Sequence, residues 1–148
     1  MARTKAIIVK KQHTNENDQI LTCYTEEFGK ITAIAKSVLK RTSLQSMHLD
    51  IFNLVDFELI DSKNMPIIAS THTESAFPNL KKSMPAIEAA GYFAREIDQT
   101  MFENERDDKM WSFLVKVFTG LDQNASDRTR LNDFFSQNRE ELIRVSGY

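Results

Sequence analysis

The residues from Asp18 to Lys36 constrain this chain most. They read Asp-Gln-Ile-Leu-Thr-Cys-Tyr-Thr-Glu-Glu-Phe-Gly-Lys-Ile-Thr-Ala-Ile-Ala-Lys. Ile20, Thr22 and Tyr24 alternate with Leu21, Cys23 and Thr25; further on, Ile31, Ala33 and Ala35 alternate with Thr32, Ile34 and Lys36. A period of two, rich in β-branched and aromatic side chains, is the pattern of a strand, because successive strand residues point to opposite faces. Between the two arms lies Glu26-Glu27-Phe28-Gly29-Lys30, where Gly29 supplies the positive φ that a short hairpin loop needs. The stretch predicts a β-hairpin.

The flanks extend the pattern. Thr4 to Lys11 predicts a first strand through Ala6, Ile7, Ile8 and Val9. Leu49 to Ile60 predicts a long strand bulged near Asn53, and Met65 to Thr73 a fifth, with Pro66 near its start, where an edge tolerates it. Gln12 to Asn17 and Asp61 to Asn64 have turn chemistry. Lys36 to Ser46 is a basic connection that could hold a short helical turn. Short strands and turns at this spacing predict a closed, five-stranded antiparallel barrel, which removes the exposed edges of so small a sheet.

Past Phe77 the period lengthens. Ser83 and Pro85 start a helix lined by Ile87, Ala90, Phe93, Ala94, Ile97 and Met101. Met110, Trp111, Leu114, Val115, Phe118 and Leu121 line a second, with Gly120 weakening its end. Ser126 caps a third, with Asp127 on its dipole, Leu131, Phe134, Phe135, Leu142 and Val145 along one side, and Gly147 at its end. The expected class is β+α: a barrel over residues 1–76 and a three-helix unit over residues 77–148.

The total charge of −2 conceals an imbalance. Eight Lys/Arg against four Asp/Glu leave the first 41 residues at +4 and the remainder at −6. A basic first part hints at a polyanionic partner, although a solvated mix of charges gives the same count. No apolar run approaches the roughly 20 residues of a membrane span. Met-Ala-Arg-Thr-Lys-Ala leads into a strand-like run rather than a signal peptide. A single cysteine, Cys23, fits a reducing cytoplasm and is expected to be a packed core thiol.

Catalytic and metal chemistry finds no support in the residues. His48 and Asp50 would share a strand face, but three or four converging ligands are needed for a metal. Four scattered glycines make no phosphate-cradling loop, and no nucleophile–base arrangement stands out. The expectation is no enzyme, no metal and no cofactor. The positive signal is Lys10, Lys11, Lys30, Lys36, Lys40 and Arg41, interleaved with Tyr24 and Phe28. Cations along a backbone and aromatic faces for bases are what single-strand binding requires. These cations are expected to form one positive surface, or else merely to solvate strand ends. Tyr24 reads better as core than as a stacking platform.

Several of these segments carry a family resemblance. Glu16-Asn17-Asp18-Gln19-Ile20-Leu21-Thr22, Thr25-Glu26-Glu27-Phe28-Gly29-Lys30-Ile31 and Ala35-Lys36 resemble the amino-terminal region of the bacterial recombination mediator RecO. Thr4 to Val9 resembles that family's first strand, Phe52 and Leu54 the segment after its basic loop, and Ser75-Ala76-Phe77-Pro78-Asn79-Leu80 its crossing from barrel to helices. Ser37 stands where the loop usually has glycine. The resemblance implies an OB-fold, binding of single- and double-stranded DNA, strand annealing and recombinase loading. It also implies RecR and the tail of single-stranded DNA-binding protein (SSB) as partners. Lys36, Lys40 and Arg41 fall on the basic loop. Ile143-Arg144-Val145-Ser146-Gly147-Tyr148 resembles the run after which members continue into a cysteine zinc cluster, so this chain is expected to be a short form without it. The rival expectation is an adaptor whose barrel binds a RecR-like partner and little or no DNA.

Overall fold

A computed structural model describes residues 2–14, 17–36 and 48–147. The strands are β1 (Ala2–His13), β2 (Gln19–Thr25), β3 (Gly29–Ala35), β4 (Leu54–Ile60) and β5 (Ile67–Ser75). They close into a barrel in the order β1-β2-β3-β5-β4. The hairpin forms as expected, in a register that sets Cys23 opposite Ile31 and Thr25 opposite Gly29. Gly29 has φ 68°, and the Thr25 hydroxyl braces the turn by donating to the Gly29 carbonyl at 2.9 Å and accepting from the Phe28 N–H.

Three details differ from expectation. The barrel is not wholly antiparallel: β3 and β5 run parallel where Ile34 meets Ile67. The reason is topological, since an odd number of strands closed in a ring cannot alternate direction throughout. The long fourth strand is shorter, because residues 48–52 form turns and only Leu54–Ile60 is strand. Phe52 there has φ 70°, and residues 52 and 53 bracket Ile8 through Phe52 N–H to Ile8 O at 2.8 Å and Ile8 N–H to Asn53 O at 3.2 Å. His48 and Asp50 therefore lie in a turn and not on a strand face. The possible helical turn in Lys36–Ser46 lies, beyond Lys36, outside the described residues.

The helices are a short α1 (Pro78–Lys81) and three longer ones, α2 (Met84–Thr100), α3 (Asp108–Gln123) and α4 (Arg128–Ser146). Ser83 caps α2 by accepting from Ala86 N–H. For α4 the cap is Asp127, not Ser126, with the carboxylate accepting from Arg130 N–H at 3.1 Å. Carboxylates suit this position doubly, as acceptors and as negative charge on the dipole. Asp107 does the same for α3. Gly147 ends α4 with φ 84°.

Two apolar clusters result. Inside the barrel, Ala6, Ile8, Leu21, Cys23, Ile31, Ala33, Val55, Phe57 and Ile68 fill the lumen. Outside it, Ile7, Val9, Tyr24 and Phe52 pack with Phe77, Phe93, Ile97, Leu114 and Phe118 of the helical part. Alternation along β1 serves both clusters at once, with Ala6 and Ile8 in the lumen and Ile7 and Val9 outside; a bulge between Ile8 and Lys10 then puts Lys10 opposite Thr22. Barrel and helices thus share a core.

Cys23 is wholly buried, and burial pushes its thiol up from the ordinary 9.0 to about 12. The folded value lies above the unfolded one. Its contribution to stability is therefore intact below about pH 9 and is lost as pH rises from 9.0 towards about 12. A thiol-reactive chromogenic disulfide is expected to leave the folded chain unlabelled at neutral pH and to titrate one thiol in denaturant. Fast labelling of the folded protein would contradict this burial.

Candidate nucleic-acid interface

Strand register decides where the cations go. Lys10 lies opposite Thr22 and, through it, Thr32, on the outer face that carries Tyr24 and Lys30. This face turns towards α2. The Lys10 ammonium sits 3.5 Å from the Asp98 carboxylate, and Lys30 donates to the Asp98 carbonyl at 2.7 Å. Both lysines are thereby tied to the carboxy-terminal turn of α2. Lys11 leaves β1 on the opposite side, across from Leu21, at the barrel end where β1 and β3 finish. His13 and Lys36 belong to the same end: His13 pairs with Gln19, Gln19 with Ala35, and Lys36 follows, exposed. Lys40 and Arg41 lie outside the described residues.

The four described cations thus form two groups rather than one surface. Lys10 and Lys30 brace the barrel–helix junction, whereas Lys11 and Lys36 stand at the barrel end where β1 and β3 finish. Other cations of the first part are also engaged. Arg3 pairs with Asp56 at 2.8 Å and Glu58 at 2.9 Å, and Lys5 with Glu74 at 3.3 Å. On an exposed face each such pair contributes little stability, but it lowers the local positive potential.

Neither expected aromatic is open to a base. Tyr24 is 1% exposed and belongs to the cluster beneath the helices. Burial, and then the nearby Asp107 charge, raise its phenol's pKa. Phe28 is half-buried against the barrel core, where with Ile31, Leu59, Met65 and Pro66 it lines a cavity of about 300 Å³ at the barrel mouth.

Sequence reasoning missed the α2–α3 connection. It is laid over the β3 end of the hairpin. Asn104 N–H donates to Lys30 O at 2.9 Å, Thr32 Oγ1 donates to the Glu103 carboxylate at 2.8 Å, and Arg106 donates to Glu27 at 2.7 Å. No local signal in Phe102-Glu103-Asn104-Glu105-Arg106 announces a partner so far away in sequence. Lys63 was likewise read only as turn, yet it is exposed in the β4–β5 connection, whose Pro66 carbonyl accepts from Ile34 N–H at 2.9 Å. Among the described residues no group of three or more His, Cys, Asp or Glu could hold a metal ion, and no helix is long and apolar enough to cross a membrane.

A closed five-stranded barrel in this strand order is an OB-fold. More specifically, the chain belongs to the family described as Recombination protein O N terminal, whose model matches residues 1–77. Similarity to whole proteins extends through the helices. The chain is 24% identical over 148 residues to the DNA repair protein RecO of Thermoanaerobacter sp. (strain X514), covering 100% of this chain and 58% of that protein. Identity is 28% over 146 residues to the DNA repair protein RecO of Clostridium novyi (strain NT), covering 99% and 56%. It is 31% over 147 residues to that of Dehalococcoides mccartyi (strain ATCC BAA-2100 / JCM 16839 / KCTC 5957 / BAV1), again covering 99% and 56%. The chain spans a little over half the length of these relatives.

Proposed function

We propose that this chain is a DNA-binding module of a recombination mediator in DNA repair, acting in the cytoplasm without catalysis of its own. It binds single- and double-stranded DNA, promotes annealing of complementary strands and helps to load recombinase, with RecR and the SSB tail as partners. The observation that carries the reading is the OB barrel of the Recombination protein O family with Lys11 and Lys36 together at one end. Loops at strand ends are where such barrels take nucleic acid. Lys40 and Arg41 follow Lys36 closely in sequence.

A second reading has its own support. Lys10 and Lys30 are engaged by α2, and the residues after Arg41 carry −6. A barrel with fewer free cations suits an adaptor that binds a RecR-like protein and little DNA. Binding of labelled single- and double-stranded oligonucleotides across a salt series separates the two. The DNA reading expects binding at low salt that weakens steeply as salt rises. The double variant Lys11→Ala, Lys36→Ala is expected to weaken binding regardless of sequence. For each phosphate that is no longer neutralised, the salt slope should fall by about one unit on duplex and about 0.7 on single strands. An unchanged slope on both substrates would remove this end from the site, and no binding by the unmutated chain at low salt would favour the adaptor.

A further inference from the structure

We infer that Phe102 is a base-stacking platform for a single strand crossing the outer face of β2 and β3, an inference that rests on the DNA-binding reading above. Among the described residues Phe102 is the only Phe, Tyr or Trp in the open, at 75% exposed. It is not on a loose loop. Met101, just before it, packs against the barrel–helix core and its N–H caps α2 through Ile97 O at 3.1 Å. Glu103, just after it, forms a parallel bridge with Lys30 and accepts from the Thr32 hydroxyl. Both neighbours are anchored, so the ring stands on a fixed edge of the face where an OB barrel takes its ligand. Pre-organisation of this kind lowers the ordering cost of binding.

The charges favour a base over a phosphate at this edge. Asp98 and Glu103 offset Lys10 and Lys30, which leaves the surroundings of Phe102 without positive excess. Partly exposed Thr32, Ile34 and Ile20 continue the face from Phe102 towards Lys36 with neutral and apolar groups. Aromatic stacking is tolerant of sequence and needs no cation. The phosphates of the same strand then fall to Lys11 and Lys36. A duplex keeps its bases stacked inside and has nothing to offer the ring.

The test compares the unmutated chain with Phe102→Ala and Phe102→Tyr on single-stranded, duplex and abasic single-stranded oligonucleotides, across salt. Phe102→Ala is expected to weaken binding to single strands about tenfold, the order of one lost stacked base. The salt slope and duplex affinity should stay unchanged, and Phe102→Tyr should restore binding. On the abasic strand the variant and the unmutated chain should bind alike. Single-strand affinity unchanged in Phe102→Ala, an equal loss on duplex, or an altered self-association in sedimentation would each overturn the inference. If the unmutated chain binds no DNA, the underlying reading falls with it. If only Phe102→Ala is silent, that reading stands and the platform does not.

Discussion

Phe118→Ala is expected to lower the unfolding free energy by roughly 3–5 kcal/mol, the cost of emptying a closely packed aromatic site. Phe118 is fully buried on α3, its ring 5.6 Å from Phe52 of the turn before β4 and 6.1 Å from Phe77 at the crossing into the helices. One side chain therefore joins the barrel, the crossing and the helical part. Against the 5–15 kcal/mol that a domain typically holds, the loss is severe, on the order of 10 °C or more in melting temperature. Because the core is shared, barrel and helices should weaken together. Urea unfolding followed by Trp111 fluorescence in α3 and by far-ultraviolet dichroism should stay coincident in the variant. A transition in which the helical signal is lost while the barrel persists would contradict a shared core.

Gly29→Ala is expected to cost about 3 kcal/mol, from two sources. An L-residue at φ 68° loses about 1–2 kcal/mol. In addition, a methyl group at Gly29 would lie 2.0 Å from the Glu105 carbonyl oxygen and 2.6 Å from its carbon. These are backbone atoms of the α2–α3 connection, so the connection has to shift, with an overpacking cost of about 1–3 kcal/mol. Gly147 supplies the control: its φ is 84°, but nothing lies within 4 Å of the added methyl. Gly147→Ala should show the backbone cost alone. Equal losses for the two substitutions, measured by chemical denaturation, would mean that the connection does not press on the hairpin.

The strands and helices were legible because their periods are strong. Alternation through Ile20 to Thr25 and Ile31 to Lys36 fixed the hairpin, and apolar spacing from Met110 to Leu121 fixed α3. Period alone does not say which face meets which partner. Tyr24 and Cys23 sit side by side in β2, yet one packs under the helices and the other inside the barrel. The start of the long fourth strand was misread for a similar reason: apolar Leu49, Ile51 and Phe52 are buried or half-buried before β4 begins, and burial without regular hydrogen bonding leaves the same sequence trace as a strand. Asn138, buried at 4%, was passed over because it is polar; its amide is satisfied by the Phe134 carbonyl one turn back at 2.9 Å. The candidate site was legible as a set of cations but not as a surface. That Asp98 engages both Lys10 and Lys30 follows from the docking of α2 on β1, which brings together residues far apart in sequence.

The central claim is that the barrel takes nucleic acid at the end carrying Lys11 and Lys36. Titrating a short single-stranded oligonucleotide into the isotopically labelled chain, and following its backbone amide resonances, tests this most directly. The expected result is a contiguous set of shifts at Lys11, His13, Gln19 and Lys36, extending along Thr32 towards Phe102, and reversed by added salt. Shifts confined to α3 and α4, or none at low salt, would contradict it.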